Sequence, residues 1–272
     1  MDLTSVIGLV AGLATVVIVM ILDGGSPAEL FAAPAAILLI FGGSLSATAV
    51  TSSMKTVTSL PKFLAVAFTS KSFDAIATIE LLAKLADKAR RDGLLGLAED
   101  SKKISDPFLQ KGIMMVVDGV EPEQVASIME TSIEQMRARH KTGIGFFTAA
   151  GGFAPTFGII GTVMGLINVL KQLDNPSALG AAIASAFLAT LWGLLSANLI
   201  YLPIGGKLKT KDEEEARNRY LMLEGILSIQ AGENPRVVRD KLSAFLPPSD
   251  LKGEESAKAA KKPAARAEKA QA

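Results

Sequence analysis

The chain contains no cysteine and a single histidine, His140. Without cysteine there can be no disulfide, thiolate metal site or cysteine nucleophile. One histidine leaves little scope for a zinc site or for histidine-based catalysis. Positive charge is not in excess either. The 28 Lys and Arg stand against 27 Asp and Glu, a formal net charge of +1, which excludes the basic footprint of a nucleic-acid binder. Charge is also missing from long tracts. Four stretches, 3–22, 30–54, 144–170 and 178–203, hold no Asp, Glu, Lys or Arg. Proton relays and most cation paths in membranes use a carboxylate within the span. This chain alone is therefore a poor pump, and in an ion-driven machine a partner helix must bring the acid. With no catalytic acid, base or metal cluster in these tracts, no catalytic residue and no resident metal or cofactor is expected, and an enzyme is the least favoured class.

What is present is apolar and concentrated. Hydrophobic residues make up 49% of the 272 positions, and the mean hydropathy is +0.37. Each of the four uncharged runs reaches the roughly 20 residues that a bilayer requires. The expected fold is all-α: a polytopic membrane protein with four transmembrane helices and a helical cytoplasmic domain between the second and third. The first run lacks a basic leader and is too long for a signal-peptide core, so it is expected to be retained as a span. The connections DGGSPAE and KQLDNPS are short and rich in turn residues, which makes each pair of runs a helical hairpin. The expected division is a transmembrane hairpin over 1–54, a cytoplasmic helical domain over 55–143, a second hairpin over 144–205, C-terminal cytoplasmic helices over 206–250 and a disordered tail over 251–272. Basic residues set the orientation: thirteen fall within 51–143, fourteen from 206 onward, and Lys171 is the only other. Both segments should face the cytoplasm, and with four spans the N-terminus does too.

Within 51–143 the pattern is helical. Phe73, Ile76, Ile79, Leu82, Leu85 and Ala86 recur at three- and four-residue steps, and Gly93 can end that helix. Asp106-Pro107 opens a second helix. Glu121-Pro122-Glu123 opens a third, which runs through Arg137, Arg139 and Lys141 into the third span. The acid run 212–215, flanked by Lys207, Lys209 and Lys211, reads as a solvated helix face with i,i+4 pairs. The tail from Leu251 is rich in Ala, Lys and Glu, a composition that does not build a core.

The stretch with most chemical content is GGFAPTFGIIGTVMGLINVL at 151–170. Pro155 cannot donate to the carbonyl of Gly151, and Pro203 leaves the carbonyl of Leu199 free, so each is a candidate hinge as well as a harmless bend. Gly158, Gly161 and Gly165 set small residues along one side of the span, which serves close helix packing. Thr162 and Thr190 are hydroxyls in otherwise apolar spans. Most such hydroxyls bond their own backbone. Facing a shared interior, they would instead line an ion path, since hard cations prefer oxygen ligands.

Two stretches, APTFGIIGTVMGLINVL at 154–170 and AFLATLWGLLSANLIYLP at 186–203, resemble the MotA/TolQ/ExbB proton-channel superfamily, and within it the flagellar-motor stator subunits of the MotA type. ARRDGLLGL at 89–97 and VVDGVEPEQV at 116–125 carry the same likeness, which covers most of 1–245. The resemblance implies a homo-pentameric ring in the bacterial inner membrane around two copies of MotB. The MotB helix would supply the missing aspartate, and the cytoplasmic domain would push on the rotor protein FliG. It also implies that Pro155 and Pro203 couple ion flow to movement and that Arg90 engages the rotor. The family's acidic rotor contact ends a GLLALE-like run. Here that position is Ala98, and Glu99 follows one residue later. Thr162 lies seven residues after Pro155, where the sodium-driven relatives PomA and MotP are similar in carrying threonine. Sodium is therefore the expected ion and the proton the alternative. Two other readings stay open: an ExbB- or TolQ-like energiser of outer-membrane processes, with three spans, and a membrane scaffold without ion function.

Overall fold

Caps and turn residues punctuate the chain where the sequence provides them. The computed structural model describes residues 2–69, 73–173 and 176–247. Helix α1, Leu3–Leu22, is capped by the Asp2 carboxylate, which accepts from the Ser5 N–H at 3.2 Å. A 3₁₀ turn, Pro27–Phe31, opens on a reciprocal Ser26–Glu29 capping box, and α2, Pro34–Val50, starts on its own proline. Two short helices follow, α3 (Met54–Thr58) and α4 (Leu60–Phe68). Asp74 caps α5, Ala75–Asp92, which stops at Gly93 with φ +75°. After a 3₁₀ turn at Leu94–Leu97 come α6 (Ala98–Ser101) and α7 (Pro107–Val117), the latter capped by Asp106. Helix α8, Pro122–Leu170, runs unbroken for 49 residues. Helix α9, Pro176–Leu195, passes into a π-helical turn at Ser196–Tyr201 and then into α10, Leu202–Gln230. Helix α11, Pro235–Ser243, ends the described chain under an Asn234 cap. No strand occurs among the described residues, and the fold is all-α, as expected.

The helices form two compact units, 1–71 with 137–213 and 72–136 with 214–272. The first holds the apolar helices. Three helical runs, Leu3–Leu22, Pro122–Leu170 and Leu179–Gln230, are long and apolar enough to cross a membrane, and α2 is a shorter apolar helix. The second run was expected over 30–54 but is trimmed at both ends, by the 3₁₀ turn before it and by α3 after it. Helix α2 buries Ala36, Ile40, Ser44 and Thr48, one residue per turn, so a single stripe faces the other helices. Helix α1 buries none of its side chains. A helix so apolar and so bare would be unstable in water; it fits lipid or neighbouring chains.

The second unit is built from two separate pieces of chain. Leu82 on α5, Ile113 on α7, Met129 and Ile133 on α8, Ile226 on α10 and Leu242 on α11 are fully buried in one core. The C-terminal helices thus complete the core of the middle segment. Helices α3 and α4, counted with that segment in the sequence division, lie instead in the unit of the apolar helices. The tail expected to be disordered lies outside the described residues.

Candidate functional site

Helices α8 and α9 approach so closely that their backbones touch. A Cβ placed on Gly158 would lie 3.1 Å from the Ala189 carbonyl oxygen and 3.2 Å from Cα of Gly193. One on Gly193 would lie 2.9 Å from the Ala154 carbonyl oxygen. A Cβ on Gly161 or Gly165 would come within 2.8 Å of the Cβ of Ala189 or 2.6 Å of that of Ala186. All three glycines singled out in the sequence therefore sit on one seam, where only small residues fit.

The two threonines meet on this seam. Their hydroxyls are in direct hydrogen-bond contact. Thr162 Oγ1 also lies 3.1 Å from the Gly158 carbonyl of its own helix and 3.0 Å from the Ala186 carbonyl of α9. One hydroxyl proton serves one of these acceptors at a time, so oxygen lone pairs outnumber protons here. The cluster is uncharged and all-oxygen, the donor set that hard cations take. Among the described residues no group of three or more His, Cys, Asp or Glu is placed to hold a metal ion.

The two prolines sit on segments that touch. Pro155 is half-buried inside α8, and a Cβ on Gly151, one turn earlier, would lie 2.6 Å from the Leu202 side chain that precedes Pro203. Pro203 is exposed and directly follows the π turn, in which the Leu202 N–H donates to the Ala197 carbonyl five residues back. The missing N–H of Pro203 thus falls where the hydrogen-bond ladder has already widened.

The two charged candidates lie in the other unit, and both are exposed. Arg90 is in the last turn of α5 and Glu99 is in α6. Their neighbours fix the local backbone: Arg91 pairs with Asp87 at 2.8 Å, and Lys88 Nζ donates to Asp100 at 2.6 Å, tying α5 to α6. The Lys88 ammonium, aided by Lys103, holds the Asp100 carboxyl below its ordinary value, and Asp100 holds Lys88 above its own.

The acid run 212–215 departs from expectation at one position. Glu213 and Glu214 are exposed, and Glu215 pairs with Arg219 at 2.7 Å one turn on, as a solvated face should. Asp212, however, is only 4% exposed; Arg137 Nε lies 3.2 Å from it and His140 Nδ1 2.8 Å. Its partners come from α8, more than seventy positions away, so local spacing gave no sign of them. Sequence reasoning also missed two polar tethers, one to the 3₁₀ turn before α2 and one to α2 itself. Trp192 Nε1 donates to the Leu30 carbonyl at 2.7 Å, and the Tyr201 and Ser44 hydroxyls lie 3.3 Å apart. The available signal was Ser44 and Thr48 recurring at one-turn spacing in an apolar run.

Comparison with known proteins agrees with the all-α fold. Residues 100–220 match the MotA/TolQ/ExbB proton channel family, and residues 6–93 match the Motility protein A N-terminal family. Motility protein A of Bacillus subtilis is 39% identical over 251 residues, 92% of this chain and 93% of the relative. Chemotaxis protein PomA of Vibrio alginolyticus is 37% identical over 246 residues, 90% of this chain and 96% of the relative. The solved flagellar MotAB stator complex from Bacillus subtilis contains a chain that superposes with a TM-score of 0.86 at 37% identity, covering 92% of this chain and 98% of that one.

Proposed function

Because the chain belongs to the MotA/TolQ/ExbB proton channel family, we propose that it is a flagellar-motor stator subunit that couples inward ion flow to rotation of the rotor. It resides in the inner membrane with both termini in the cytoplasm, the side where its basic residues gather. The chain's own apolar runs hold no carboxylate, so the acid of the ion path comes from a MotB-type subunit. Five copies surround that partner. Side chains that find no cover within one chain, among them Ile159, Ile160, Val163 and Met164 on α8, support packing against such neighbours. Arg90 and Glu99 stand exposed on the cytoplasmic unit and meet FliG. Pro155 and Pro203 bend the path between ion and rotor.

The observation that carries the reading is the oxygen cluster at Thr162 and Thr190. Two hydroxyls and two carbonyls converge in a region without charge. A ring of such clusters replaces part of the water shell of a passing sodium ion. The test is to express the chain with its MotB-type partner in a motile strain lacking stators. Swimming speed is then measured against external sodium at fixed pH. Speed that rises with sodium, together with loss of that dependence in Thr162→Ala, supports the reading. Motility indifferent to sodium but driven by the proton gradient keeps the stator and replaces the ion. No motility from a stably assembled complex favours an ExbB- or TolQ-like energiser.

A further inference from the structure

The π turn Ser196–Tyr201 is flanked by two aromatic rings that pack on Phe41 of α2. Four residues before it the Trp192 indole N–H donates to the carbonyl of Leu30 in the 3₁₀ turn at 2.7 Å, and the ring packs edge-on to Phe41, with centroids 6.0 Å apart. At its end Tyr201 is 4% exposed; its ring meets the same Phe41 at 6.2 Å, and its hydroxyl reaches Ser44 Oγ at 3.3 Å. Ser44 is fully buried, and its own carbonyl accepts from Thr48 Oγ1 at 2.7 Å, which stiffens that turn of α2. On the α1 side the turn packs through Leu199, whose side chain would lie 2.9 Å from a Cβ on Gly12. A cavity of about 190 Å³ lies there, lined by Thr4, Gly8 and Leu9 of α1 and by Leu199, Pro203 and Ile204. A Cβ on Gly8 would meet nothing within 4 Å.

A π turn exchanges i→i+5 for i→i+4 bonds one residue at a time, and each exchange swings the side chain it passes by roughly 100°. Such a swing at Tyr201 would withdraw its hydroxyl from Ser44, and the displaced Pro203 has room in the cavity on the α1 side. Latch and void thus both border one π turn, just before Pro203. We propose that the Tyr201–Ser44 hydrogen bond is the latch that sets the register of this π turn, making Tyr201 a positioning residue for torque generation, and that the cavity beside Gly8 is the space the turn moves into. The proposal rests on the stator reading but assigns no ion contact to Tyr201.

Tyr201→Phe keeps the ring and its packing and removes only the hydroxyl. Loss of one neutral hydrogen bond shifts a latched-to-unlatched ratio by about 2- to 10-fold. In single motors loaded with a bead, stators engage one at a time, and each raises the torque by one step. Tyr201→Phe is expected to lower the height of each step while leaving the number of steps and the half-saturating ion concentration unchanged. A step of wild-type height overturns the latch, whatever the number of steps, because a purely structural role changes assembly and not torque per unit. If Tyr201→Phe does not assemble, Ser44→Ala is read in the same way. Gly8→Val sets its Cβ in open space beside the cavity and is expected to lower the step as well; an unchanged step overturns the role of the void. Failure of the wild-type chain to drive any motor, with its partner assembled, sinks the stator reading instead.

Discussion

At the scale of single residues, the polar groups that matter find partners outside their own helix. Thr162 meets Thr190, Asp212 meets Arg137 and His140, and Lys211 donates to the Val66 carbonyl at 2.6 Å and to that of Thr69, closing the C-terminal end of α4. The Lys88–Asp100 pair has a definite pH behaviour. Asp100 has its pKa lowered in the fold from 3.8, so its contribution is complete above pH 3.8 and is lost as pH falls through the depressed value. Lys88 has its pKa raised from 10.5, so its contribution is complete below that pH and is lost as pH rises through the elevated value. The pair should therefore be insensitive to pH between those limits. Asp100→Asn is expected to lower the stability of the second unit by the same small amount across that window. The difference from wild type should vanish below it. Thermal melting of both proteins as a function of pH checks this.

At the scale of elements, the α8–α9 seam depends on the absence of side chains. The atoms that a Cβ on Gly158 would meet belong to the backbone of Ala189, Thr190 and Gly193, so no rotamer change makes room. Overpacking of this kind costs about 1–3 kcal/mol or more, and here it acts by pushing the helices apart. Gly158→Leu should move Thr162 away from Thr190 and leave little assembled complex in the membrane. Native gels of the detergent-extracted complex would show it, and wild-type amounts of assembled complex would contradict the seam. Gly8 supplies the contrast within the same unit: a small residue at helical spacing whose added Cβ touches nothing. Spacing alone did not separate the two cases.

At the scale of the whole molecule, the second unit is assembled from chain segments on either side of residues 137–213. Leu221, Met222, Ile226, Ile229, Val238 and Leu242 all follow residue 213 and are all buried in its core. Each such side chain stabilises by about 1.5–3 kcal/mol, so their joint removal costs as much as the usual net stability of about 5–15 kcal/mol. Truncation after Glu213 should leave 72–136 unfolded and the protein degraded. Truncation after Pro247 keeps every one of these residues and should accumulate normally. Immunoblots of the membrane fraction distinguish the two outcomes.

The sequence by itself determined what depends on composition and local order. Uncharged runs long enough for a bilayer settled the membrane class. Asp106 marked a helix start and Gly93 an end, because a cap acts within three residues of itself. The small-residue spacing around Gly161 and the hydroxyls of Thr162 and Thr190 were likewise visible as candidates. Only the tertiary structure decided which candidates meet. It turned the acid of Asp212 inward, seated Tyr201 on Ser44, left a void beside Gly8, and joined 72–136 to the C-terminal helices. The physical reason is range. Capping and periodicity act between neighbours in the chain. A buried ion pair, a hydroxyl contact across helices or a shared core depends on how distant turns are brought together, and no short window of sequence contains both partners.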